Sequence, residues 1–181
     1  MLKASGQTFL QFLKTCCFPL KHRTSVQYKI HAANAQRILI LCPAGSFPDV
    51  LRMLHKKHKK LFENKDIHWV LIKQDTEIIS LPQETSSVFT VPAKKQFPNI
   101  NRYLAIHPLM TTSFDIFLDL VPDTTWLGLF LCVMSHAAIR VSFQRTKYDY
   151  LYYNFSYRSD TDISLPEQIS RLFSAFQRIT A

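Results

Sequence analysis

Three carboxylates, Asp49, Asp119 and Asp123, stand where a side chain could do chemistry. Asp49 follows Cys42-Pro43-Ala44-Gly45-Ser46-Phe47-Pro48, a turn between an apolar run and a helical pattern. A carboxylate at such a helix start can take a proton from a hydroxyl nucleophile. It can equally serve only to complement the helix dipole. Asp119 falls near the end of Phe114-Asp115-Ile116-Phe117-Leu118-Asp119-Leu120, and Asp123 in the turn that follows. Open α/β sheets bind ligands outside the carboxyl ends of their strands. Asp49, Asp119 and Asp123, with Gly45 and Ser46, could therefore rim one crevice and hold a polar ligand or a metal. Capping and turn formation account for Asp123 without any ligand. Asp115, four residues before Asp119 on the same strand face, is expected to be solvated.

Other chemistries find little support. His55 and His58 lie three apart in a lysine-rich stretch, with no carboxylate at matching spacing. His68 and His136 read as edge or core residues. No GxSxG, HExxH, P-loop or GxGxxG motif is present. Cys16, Cys17, Cys42 and Cys132 give no zinc spacing, so no metal is expected. The chain has only three glycines, Gly6, Gly45 and Gly128, and Pro43 and Pro48 remove two N–H donors from the first turn. Phosphate binding there is disfavoured, and no cofactor is expected.

The net charge of +9 is unevenly placed. Residues 1–65 carry +10 and the remainder −1. Arg52, Lys56, Lys57, Lys59 and Lys60 form the densest basic cluster. Such a field can attract anionic lipid, an acidic protein or nucleic acid, and it is also what a solvated helix face looks like. Nothing singles out nucleic acid as the partner. Residues 1–20 carry an apolar stripe (Leu2, Phe9, Leu10, Phe12, Leu13, Cys16, Cys17) that predicts an amphipathic helix stopped by Pro19. It could pack on the domain, on a second subunit or on a membrane surface. The tyrosine-rich run Tyr148 to Tyr157 predicts a strand with one face on the C-terminal helix and the other available for a protein interface or self-association. The apolar stretch from Thr124 to Ile139 is too short for the roughly 20 residues of a membrane span. Reduced thiols and the lack of a convincing secretory signal point to the cytoplasm, with peripheral contact at the inner face of a membrane left open.

The elements that must position these residues alternate along the chain. Strands are expected at Arg37–Cys42, Ile67–Ile72, Ser87–Val91, Phe114–Leu120, Ala138–Phe143 and within Tyr148–Tyr157. Helices are expected at about Phe47 to Asn64, Asn99 to Ile106, Thr124 to His136 and Leu165 to Ile179. Ser46, Asp123 and Ser164 are the expected caps, and residues 21–36 a basic connector. This alternation implies right-handed βαβ crossovers, hence a mostly parallel sheet with helices on both faces.

Two stretches resemble a known family. Arg37-Ile-Leu-Ile-Leu-Cys-Pro through Asp49-Val50-Leu51 is similar to the opening strand, turn and helix of the ADP-heptose:lipopolysaccharide heptosyltransferases, whose turn reads Ser-x-x-Gly-Asp-Val. Phe114-Asp-Ile-Phe-Leu-Asp-Leu with His136-Ala-Ala-Ile-Arg-Val-Ser-Phe is similar to that family's "YDLVIDL … GAKRRVGF" unit. An uncharacterised group of small bacterial single-domain proteins shows the same features. The resemblance covers about residues 37–145. It implies a single Rossmann-like domain over 37–181, preceded by the helix and connector of 1–36. It also implies the acceptor-binding half of a glycosyltransferase with Asp49 at the general-base position. Pro48 stands where the family has glycine, Ser142 replaces another glycine, and the donor-binding half has no counterpart here. The expected function is therefore a non-catalytic binding or interaction module. The alternatives are a reduced glycosyltransferase-like protein acting with a partner, and a basic nucleic-acid or membrane-surface binder.

Overall fold

A computed structural model describes residues 27–73, 87–92, 107–123, 125–144, 152–158 and 162–180. The predicted helices at 1–20 and 99–106 and residues 148–151 of the tyrosine-rich run lie outside these residues. The elements, in chain order, are α1 (Tyr28–Asn34), β1 (Arg37–Pro43), α2 (Phe47–Lys57), α3 (Lys59–Phe62), β2 (Asp66–Lys73) and β3 (Ser87–Pro92). There follow α4 (His107–Met110), β4 (Ile116–Asp119), α5 (Trp126–Met134), β5 (Ile139–Phe143), β6 (Phe155–Tyr157) and α6 (Leu165–Thr180).

The six strands pair in the order β3-β2-β1-β4-β5-β6, and every pairing is parallel. Ile38, Leu39, Ile40, Leu41 and Cys42 of β1 are all buried because β1 lies in mid-sheet with both faces covered. Their side chains alternate between two cores. On one face Ile38, Ile40 and Cys42 join Val50 and Leu54 of α2 with Ile169, Phe173 and Phe176 of α6. On the other, Leu39 and Leu41 join Phe117, Leu127 and Cys132, the last two from α5. Each such Leu, Ile or Phe contributes about 1.5–3 kcal/mol through burial. The expected mostly parallel α/β sheet with helices on both faces is the observed one.

The structure redraws several boundaries. The predicted helix over 47–64 breaks at His58, whose φ of −123° and ψ of 21° leave the helical region between α2 and α3. Part of the expected connector is helical, as α1, because Ala32 packs into the core. Ser46 makes no capping side-chain bond at the start of α2. Helix α5 is capped by Thr125, whose Oγ1 accepts from the Gly128 N–H at 3.0 Å, and not by Asp123. Within the described part of the tyrosine-rich run, only Phe155–Tyr157 forms strand.

Candidate functional site at the carboxyl edge of the sheet

Strand order reverses between β1 and β4, so the chain leaves these two strands toward opposite faces and opens the sheet edge between them. Leu41 pairs with Asp119, and the Leu120 N–H donates to the Leu41 carbonyl at 2.8 Å, which carries the ladder one residue further. Beyond it, Ala44–Ser46 forms a single 3-10 turn on one side, and Val121, Pro122 and Asp123 lead away on the other. Ala44, Phe47 and Leu120 are buried in one core and Val121 in the other. Gly45, Pro122 and Asp123 are exposed, and Ser46 is half-buried. The rim therefore offers a small, polar set of groups from Gly45, Ser46 and Asp123.

The three carboxylates do not share one surface. Asp49 is the third residue of α2, directly after Pro48, in the first turn. Its side chain is 52% exposed and pairs with the Arg52 guanidinium at 3.3 Å. It lines an open groove of about 640 Å³ between α2 and the start of α6, with Ser164 and Pro166 opposite. At such exposure the ion pair contributes little, about 0–1 kcal/mol.

Asp119 points to the other face of the sheet and is fully buried. Its Oδ2 accepts from the Tyr153 hydroxyl at 2.6 Å, and its Oδ1 from the Val121 N–H at 3.2 Å. It also lies against the first turn of α5, where a Cβ at Gly128 would stand 2.4 Å from Oδ2. Tyr153 as donor and Gly128 as the close neighbour of Asp119 are what sequence reasoning missed. The available signal was Gly128 itself, a scarce glycine set inside an otherwise apolar helix.

Asp115 sits at the opposite edge and acts as a clamp. Its Oδ2 accepts from the N–H groups of Gln36 at 2.7 Å and Arg37 at 2.9 Å. Its backbone N–H donates to the Arg37 carbonyl, and its carbonyl accepts from the Ile139 N–H, so it links β1, β4 and β5. Asp115 is exposed, as expected, and two orphan donors at the start of β1 also claim its carboxylate. Nearby, Lys65 Nζ donates to the carbonyls of Ala32 and Ala35, closing the end of α1. Partial burial pulls the Lys65 ammonium below its ordinary pKa, and the Asp115 charge opposes that shift.

The histidines separate into distinct settings. His58, expected at the surface, is buried, with no hydrogen-bond partner for either ring nitrogen among the described residues and its ring 5.4 Å from that of Phe173. Its place at the α2–α3 break turns it inward. His68 Nε2 meets Asp66 Oδ2 at 2.9 Å. His136 takes a left-handed φ of 52° just past the α5 C-cap. Burial pushes the Cys42 thiol far above its ordinary range, so it is held as an unreactive thiol. Among the described residues, no group of three His, Cys, Asp or Glu could hold a metal ion. In the basic cluster, Arg52, Lys56, Lys57 and Lys59 are exposed, while the Lys60 side chain lies outside the description. No described helix is long and apolar enough to cross a membrane.

The tyrosine-rich run is divided between the two cores. Tyr152 and Tyr153 are buried in the α5 core, so neither offers a stacking face to a ligand. Phe155 instead packs on α6, 5.7 Å from Phe176 between ring centroids. Asn154 fixes this segment to β5, with its Oδ1 accepting from the Arg140 N–H at 2.8 Å.

No protein-family model matches the sequence, and comparison with curated proteins gave no match. Among solved structures, the fold matches the crystal structure of the glycosyl transferase family 9 from Veillonella parvula DSM 2008, with a TM-score of 0.56 and 15% sequence identity. The match covers 78% of this chain and 41% of that one, so the chain spans less than half the length of the protein it resembles. In fold, the chain resembles a glycosyltransferase domain.

Proposed function

We propose that this chain is a glycosyltransferase-like domain that binds a sugar acceptor at the carboxyl edge of its sheet and works with a second, donor-binding unit. The reading is carried by the fold match, which covers most of this chain but under half of a glycosyltransferase. The rim residues Gly45, Ser46 and Asp123 hold acceptor hydroxyls. Asp49 serves as the base for the attacking hydroxyl once ligand draws Arg52 away. The positive field of residues 1–65 favours acceptors that carry phosphate or carboxylate groups.

Ligand-observed NMR on the full chain tests this reading. Anionic oligosaccharides should show saturation transfer, and nucleotide-sugars should show none with this chain alone. Nucleotide-sugar binding with no glycan binding would overturn it.

A second reading, a binding module without catalysis, is favoured by Pro48, which removes an N–H donor beside Asp49, and by the burial of Asp119 against Tyr153. Under it, glycan binds, but no glycosyl transfer appears with any candidate partner, and Asp49→Asn leaves glycan affinity unchanged.

A further inference from the structure

The layer formed by α1, α2, α3 and α6 carries three acids, and each is occupied. Asp49 pairs with Arg52 at 3.3 Å, Glu63 with Lys59 at 3.5 Å and Glu167 with Arg171 at 2.7 Å. Lys65 is engaged by two backbone carbonyls. Lys56 and Lys57 are exposed and have no acid or hydrogen-bond partner among the described residues. Both line two open grooves, one of about 640 Å³ against the start of α6 and one of about 800 Å³ against its end. Lys29 of α1 and Arg178 of α6 are exposed too, so unpaired positive charge spreads across this layer, with Lys56 and Lys57 as its adjacent pair between the helices.

The same layer exposes aliphatic surface. Ile30 of α1 is 53% exposed and follows Lys29, and Ile179 of α6 is 38% exposed and follows Arg178. Among the described residues these are the large hydrophobic side chains left exposed, and neither is aromatic. Ala33, one turn after Ile30, and Thr180, next to Ile179 in sequence, line the second groove.

The combination discriminates between anionic partners. Surfaces for single-stranded nucleic acid add aromatic platforms to their charge, and this layer exposes none among the described residues. A duplex would use the lysines but leave both isoleucines in water. An anionic bilayer uses both, since lysines meet headgroups while aliphatic side chains enter the acyl boundary.

We propose that this helical layer docks on a bilayer surface bearing anionic headgroups, with Lys56 and Lys57 as the headgroup contacts and Ile30 and Ile179 as the inserted residues. The groove at the start of α6 also holds Asp49, so this surface adjoins the proposed acceptor site, but vesicle partition is read without any glycan. Co-sedimentation of the full chain with phosphatidylcholine vesicles, with and without phosphatidylglycerol, reads it directly. The chain should partition only onto the anionic vesicles, and less so as KCl is raised. Lys56→Gln/Lys57→Gln should lower the partition coefficient about 10- to 30-fold, as expected for two lysines near an anionic surface. Lys56→Arg/Lys57→Arg should retain it. Ile30→Ser/Ile179→Ser should weaken it while leaving the salt dependence in place. Equal partition onto uncharged vesicles, partition unchanged by Lys56→Gln/Lys57→Gln, or tighter retention on duplex DNA than on anionic vesicles would each overturn the proposal.

Discussion

Gly128 leaves room for Asp119: a Cβ at position 128 would stand 2.4 Å from Asp119 Oδ2 and 3.2 Å from Thr125 Oγ1. The first turn of α5 thus sits directly on a buried carboxylate, and the glycine is required by close approach. Gly128→Ala should destabilise the fold by about 1–3 kcal/mol, the usual cost of overpacking, as measured by urea unfolding. Combined with Asp119→Ala, the same change should cost markedly less, because the clash partner is gone. Additive effects in that cycle would refute the contact.

Tyr153 carries the second half of this arrangement. Its hydroxyl donates to Asp119 Oδ2 at 2.6 Å across 34 residues of chain. Tyr153→Phe should lower stability by about 1–3 kcal/mol, since it removes a donor from a buried acceptor. A change within about 0.5 kcal/mol in urea unfolding, the size of an ordinary surface effect, would show that the bond contributes nothing net.

His136 occupies a left-handed position with a φ of 52°. A non-glycine residue in this region carries a Cβ penalty that glycine does not. His136→Gly should raise stability by about 0.5–1 kcal/mol. A loss of stability in thermal or urea unfolding would mean that the imidazole makes a compensating contact.

His58 is buried beside Phe173 with two ring nitrogens that find no partner among the described residues. A ring of similar shape without polar atoms removes that desolvation cost. His58→Phe should therefore stabilise the protein by about 1–2 kcal/mol. Destabilisation of similar size would show that the imidazole is satisfied.

Much of the scaffold was legible because its signals are local. The unbroken apolar run Ile38–Cys42 can be buried only in mid-sheet, and the stripe Ile169, Leu172, Phe173 and Phe176 marks one face of one helix. The candidate site was less legible because its contacts are distant in sequence. Nothing near Asp119 announces Tyr153, and strand periodicity places Asp119 by face without saying whether a helix covers it. Asp115 and Asp119 share a strand face in sequence, yet one clamps backbone donors at the amino edge and the other, expected at a ligand rim, is sealed under α5. The α2–α3 break at His58 was hidden because the lysine-rich sequence around it keeps helical spacing across the break.

If the rim between β1 and β4 binds the acceptor, backbone amide shift mapping of the isotope-labelled full chain, titrated with an anionic oligosaccharide, will show it. Saturable shifts are expected at Gly45, Ser46, Asp49 and Asp123, weakened by Asp49→Asn/Asp123→Asn. Shifts confined to the amino edge around Asn64 and Asp66, or no saturable shifts at all, would refute acceptor binding at the rim.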